Sequence, residues 1–124
     1  MDKTISRLSP CRGDVYLVPF DPAYGSEIQK TRPALIIQNN IGNRFSSTVI
    51  VVAITSRKND ATVYPVEVLV PKQEGGLDED SVILLDQIRT IDKKRLLKKF
   101  GSLKPETMRR VDQALAISIG LVKL

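Results

Sequence analysis

Histidine is absent from all 124 residues. With it go the usual general base near neutral pH, the commonest metal ligand and every catalytic triad built on imidazole. Cysteine occurs once, at Cys11. An internal disulfide is therefore excluded, one thiolate cannot build a zinc site, and the reducing cytoplasm is the expected compartment. Long apolar runs are missing too. The longest uncharged stretch, 45–56, falls short of the roughly 20 residues a membrane-spanning helix needs, so no membrane association is expected. Residues 1–10, MDKTISRLSP, carry an acid at position 2 and no apolar segment, so they read as a flexible N-terminal tail without a secretion signal. Residues 11–124 read as one domain. No glycine-rich phosphate loop is present: Gly75-Gly76 lies between Glu74 and Asp78 without the lysine and hydroxyl that should follow. Catalysis falls to Arg, Lys, Thr, Ser, Tyr, Asp and Glu, and neither metal nor cofactor is expected.

What the chain does have is a modest apolar content, 42%, and a formal net charge of +5. The excess is uneven. Eight basic residues lie between Asp92 and Arg110 against two acids, whereas Asp78, Glu79 and Asp80 stand together. A basic domain favours polyanionic partners through phosphate contacts and counterion release. A solvated charged face explains the same excess, so charge alone does not decide for nucleic acid.

Short strand patterns dominate. DVYLVPF (14–20) alternates, with Pro19 marking an edge or an end. DPAYGSEIQKTR (21–32) is a long polar loop, PALIIQ (33–38) a short buried strand, and NNIGNRFSS (39–47) a turn region. TVIVVAIT (48–55), apolar on both faces, predicts a central strand. SRKNDAT (56–62) is a second polar loop. VYPVEVLV (63–70) and SVILLDQIRTI (81–91) predict two more strands, and 92–103 a short helical turn followed by a strand. From Pro105 the period changes: Met108, Val111, Leu115, Ile119 and Val122 fall on one helical face, and Gly120 is the expected stop. The economical architecture is mainly β: a small, strongly curved antiparallel sheet closing towards a barrel, with the C-terminal helix covering it.

Arg32 and Thr55 each stand where a polar loop meets a strand, which is where rigid scaffolds present chemistry. A guanidinium fork and a hydroxyl converging on one phosphate form a sensible anion site. A surface ion pair for Arg32, with Glu27 or Asp21, and a simple β-branched strand end for Thr55 explain the same positions. Gln87 and Arg89 lie two apart and share a face; an outward polar face of a half-buried sheet accounts for them equally.

Three ordered stretches sharpen this. RGDVYLVPFDPAYGSE, RPALIIQNNIGNRFSSTVIVVAIT and DSVILLDQIRTIDKKRL resemble the MazF/PemK family of toxin endoribonucleases, most closely its Gram-positive-type branch. The resemblance runs from about Arg12 to the C-terminus. It implies a small SH3-like β-barrel with a C-terminal α-helix, acting as a homodimer. It also implies metal-independent, sequence-specific cleavage of single-stranded RNA, inhibiting translation and growth, under control of a MazE-type antitoxin. The family's catalytic arginine falls on Arg32 and its threonine on Thr55. Its RNA-binding positions fall on Gly25, Ser26, Glu27, Gln87 and Arg89, with Arg57 added from the second loop. Glu27 is a candidate general base by charge and loop position. The chain departs from the family at EIQKTRP, where relatives often carry a glycine pair, and at SRKNDAT. Both loops are expected to shape base selection. A non-catalytic RNA-binding barrel and a gyrase-poisoning toxin of the same fold are the alternatives.

Overall fold

Seven of the nine residues Thr48–Ser56 are β-branched, a composition that suits a pleated strand and disfavours a helix. In the computed structural model, which describes residues 9–58 and 64–123, this stretch is strand β3, in the interior of the sheet. The other strands are β1 (Asp14–Pro19), β2 (Thr31–Ile36), β4 (Glu67–Val70), β5 (Ser81–Asp92) and β6 (Lys98–Ser102). They form one sheet in the order β4-β5-β3-β2-β1-β6, every neighbouring pair antiparallel. Among the described residues, two α-helices accompany the sheet, α1 (Asn40–Phe45) and α2 (Pro105–Ser118).

Alternation along the central strands fills both faces of the sheet. Val15, Leu35, Val52 and Ile54 join a cluster with Val68, Ile83, Leu85 and Leu103, and α2 closes it with Val111 and Ala114. Val18, Ala34, Ile36, Val49, Val51 and Ala53 point the other way, where Phe20, Ile28 and Leu96 cover them. The strands are therefore two-sided, and the sheet curls into a half-barrel.

A glycine seam accompanies the curl. The turn Glu74–Gly76 packs on β6 backbone to backbone. A Cβ at Gly76 would lie 2.2 Å from the Phe100 carbonyl oxygen, and one at Gly101 would lie 2.8 Å from the Gly75 carbonyl carbon. Gly75 and Gly76 also hold positive φ, +66° and +75°.

Three expectations change. The stretch 39–47 holds α1, because Asn39 caps it, its side chain accepting from Gly42 N at 2.8 Å. Of the described residues 64–70 only Glu67–Val70 is strand: Pro65 removes a ladder donor, and Tyr64–Glu67 forms a turn with Glu67 N bonded to Tyr64 O at 2.9 Å. Residue 63 and residues 59–62 of the second loop lie outside the described set. Ile119 and Val122, expected on the buried face of α2, lie past its end and are each 53% exposed, not core. The helix stops at Ser118, where Gly120 N bonds to Ile117 O and Leu121 N to Ala116 O, turning the chain outward. Ala114 and Thr107 are buried instead.

Strand β5 bends. Val52 pairs with Ile88 but Ala53 with Leu84, so residues 85–87 fall outside the β3 ladder. The bend sets Gln87 beneath the loop between β1 and β2.

Candidate active site

Strand β2 begins at Thr31, two residues earlier than the apolar pattern predicts, so Arg32 belongs to the sheet. The β2–β3 register pairs Ala34 with Ala53. Continued outward by two residues, it sets Arg32 opposite Thr55. The side chains meet: Arg32 Nη1 donates to Thr55 Oγ1 at 3.3 Å. Arg32 Nε donates to the Gln29 carbonyl at 2.7 Å, so the end of the loop grips the guanidinium. That end is itself fixed. Lys30 sits at φ +71°, its N–H donates to Asp21 Oδ1 at 3.0 Å, and its carbonyl accepts from Phe20 N at 2.9 Å.

Arg32 and Thr55 line a cleft of about 320 Å³. Leu17, Pro33, Ile54 and Phe100 give it an apolar floor. Ser56, Asp78 and Glu79 line it from the other flank of β3, where Ser56 Oγ donates to Glu79 Oε2 at 2.9 Å. Sequence reading misses these last residues. The run Asp78-Glu79-Asp80 registers only as charge, and its position depends on the β3–β5 pairing of Ser56 with Ser81. Asp80 is used differently, its Oδ1 accepting from Lys72 N at 2.9 Å.

The remaining candidate residues form separate groups. Glu27, Gln87 and Arg89 line a second hollow of about 210 Å³. Glu27 Oε1 accepts from Tyr24 N at 2.7 Å, closing the turn that carries Gly25 (φ +58°) and the exposed Ser26. Gln87 Oε1 accepts from Ile28 N at 3.1 Å. Arg89 Nη1 donates to Phe20 O at 2.5 Å and Arg95 Nη2 to Asp21 O at 2.7 Å. Gln87 and Arg89 thus tie the first loop to β5, and Arg95 ties it to the turn that follows β5. Arg57 lines a third depression with Asp80, Ser81 and Arg110. The Arg32 cleft and the Glu27 hollow are therefore distinct, and Glu27 is not among the residues lining the former. Among the described residues, no three Cys, Asp or Glu side chains gather as metal ligands would.

A curled antiparallel half-barrel with one C-terminal helix is a fold this chain shares with solved MazF-type proteins. The chain superposes on an endoribonuclease from Mycobacterial species with TM-score 0.75, at 28% identity over 94% of this chain and 96% of that one. An endoribonuclease in complex with its cognate antitoxin, also from Mycobacterial species, matches at TM-score 0.75 and 30% identity, over 94% of this chain and all of the other. MazF from Deinococcus radiodurans gives TM-score 0.76 at 26% identity, covering 90% and 97%. Residues 11–119 match the family of PemK-like, MazF-like toxins of type II toxin-antitoxin systems, and the chain belongs to that family.

Proposed function

We propose that this protein is a toxin endoribonuclease that cuts single-stranded RNA, messenger RNA included, at short sequences and without a metal ion. The observation that carries the reading is the Arg32–Thr55 pair, held across β2 and β3 at the mouth of a cleft. RNA supplies its own nucleophile. The 2′-oxygen attacks the adjacent phosphorus, the P–O5′ bond breaks, and the products are a 2′,3′-cyclic phosphate and a 5′-hydroxyl. The 2′-hydroxyl gives up a proton and the leaving 5′-oxygen gains one.

Negative charge grows on the non-bridging oxygens during attack. Arg32 meets that charge. Of its five N–H donors, one is engaged by Gln29 and one by Thr55, which leaves others for phosphate oxygens. The carbonyl of Gln29 and the hydroxyl of Thr55 fix the fork beforehand, so little reorganisation is needed at the moment of reaction. Thr55 also offers its hydroxyl to a phosphate oxygen. Arginine stays protonated and is a poor base.

The test compares turnover of a long RNA with circular dichroism. Arg32→Ala and Thr55→Ala should each stay folded and lose activity, Arg32→Ala by about 100-fold or more. Wild-type cutting should persist in excess EDTA and stop when the 2′-hydroxyl at the cut is replaced by hydrogen. A folded Arg32→Ala that cuts at the wild-type rate would sink the assignment. Wild-type protein that binds RNA without cutting would leave a binding barrel, and inhibition of supercoiling would indicate a gyrase poison.

The reading includes a homodimer and a MazE-type antitoxin. Ile41 and Phe45 on α1 are 76% and 75% exposed, apolar surface that a second copy could cover. Sedimentation showing only monomer at micromolar concentration would count against the dimer.

A further inference from the structure

The Arg32 cleft has a composition that phosphate binding alone does not explain. Two of its lining residues, Asp78 and Glu79, are acids, which repel a bound polyanion. They do not serve to neutralise Arg32: the ion pairs among the described residues are Arg12–Asp112 and Lys99–Asp14. Glu79 is nevertheless oriented, its Oε2 taking the Ser56 hydroxyl at 2.9 Å one residue beyond Thr55. The floor beneath is apolar and includes the half-buried ring of Phe100. The volume, about 320 Å³, is that of a single-ligand pocket.

We propose that this cleft is a nucleobase subsite in which Glu79 selects guanine at a position flanking the scissile phosphate. The proposal rests on the endoribonuclease reading above. Single-stranded RNA is read by laying bases on apolar or aromatic side chains and hydrogen-bonding their Watson–Crick edges. Leu17, Pro33 and Phe100 supply the surface. A carboxylate only accepts hydrogen bonds, and each oxygen has two lone pairs, so Oε2 keeps Ser56 and still accepts from a base. Guanine presents two adjacent donors, N1–H and the exocyclic amine, to the two oxygens. Cytosine and adenine present one amine beside an acceptor nitrogen. Uracil presents one N–H between two carbonyls, which a carboxylate repels. The acid thus favours one base and penalises the others, while Arg32 compensates its charge towards the phosphate.

The experiment maps cuts on a long RNA, then uses oligonucleotides built around the strongest site. Wild-type protein should require guanine beside the cut and prefer it over uracil roughly ten- to a hundredfold in kcat/KM. Inosine, which lacks the 2-amino group, should lose about tenfold. Glu79→Gln should still cut but discriminate guanine from inosine and uracil far less. Ser56→Ala, which frees the carboxylate, should relax the preference in the same direction. Unchanged base choice in Glu79→Gln, or wild-type cuts with no guanine beside them, overturns the proposal while leaving a nuclease. A wild-type protein that cuts no RNA overturns both readings.

Discussion

At Arg32 the geometry asks for a fork, not simply a positive charge. Nε is committed to Gln29 O and Nη1 to Thr55 Oγ1, so the group bridges loop and strand before any ligand arrives. Lysine keeps the charge on a flexible stem and cannot span both partners. Arg32→Lys should therefore retain much of the RNA affinity, which is a Coulombic property, but lose about 100-fold in kcat. Single-turnover cleavage alongside equilibrium binding separates the two; equal losses in both would argue against preorganisation. Tyr16 offers a residue-scale test of stability. Burial, then Asp14, then Cys11 raise its phenol above the ordinary value of 10.0. Below that pH both folded and unfolded chains hold the proton. Above it the unfolded chain releases the proton first, so stability falls as pH rises through the folded value. Tyr16→Phe removes this contribution, and urea midpoints taken on either side of pH 10 should fall less steeply than in the wild type. An unchanged slope would show that Tyr16 does not shape the alkaline limb.

Among the elements, the seam at Gly75-Gly76 and Gly101 packs the turn on β6 beside the cleft, and Phe100 belongs to both. Gly76→Ala places a Cβ 2.2 Å from the Phe100 carbonyl oxygen at a φ of +75°. It should destabilise by at least about 2 kcal/mol. Gly25→Ala is the control: φ is +58° but nothing lies within 4 Å of the new Cβ. It should lose only the left-handed strain, about 1 kcal/mol. Denaturant midpoints decide, and equal losses would dismiss the seam. The contrast also marks how far the sequence could be read. Alternation over 14–20 and 81–91, the two-sided run 48–55 and the helical period after Pro105 were all legible, since local pattern reports which faces are buried. The glycine pair registered only as lacking a phosphate-loop signature, because its packing partner Gly101 lies far along the chain. Helix α1 was hidden by Gly42 and three asparagines, and rests on the Asn39 cap. Arg32 and Thr55 were legible as strand ends, but not as partners. Their contact follows from the β2–β3 register, as Glu79 beside Ser56 follows from the β3–β5 register, and a single sequence does not carry register.

For the whole molecule, the net charge of +5 is only partly available to a ligand. Arg95 and Lys93 are spent on carbonyls of the first loop and of α1, and Lys99 pairs with Asp14 at 3.5 Å. Lys94, Lys98 and Arg109 remain exposed, and Lys98 lies on β6 at the open edge of the sheet. Such a surface attracts phosphates and carboxylates alike. The antitoxin proposed above should therefore silence the protein by laying a disordered acidic tail in the Arg32 cleft, gaining order only on binding. Charge cannot be the whole attraction, because exposed ion pairs contribute only about 0–1 kcal/mol each. Apolar side chains of the tail would use the floor formed by Leu17, Pro33 and Phe100. The two ligands should then differ in salt dependence. RNA affinity should fall with a log–log slope of about −0.7 per phosphate neutralised, and tail affinity more gently. Labelled RNA and labelled tail peptide can be titrated together against Arg32→Ala, which should still bind RNA but cut it at least about 100-fold more slowly. Displacement of one by the other, with the shallower slope for the peptide, is the expected result. Both ligands bound at saturation without displacement would place the tail elsewhere on the molecule.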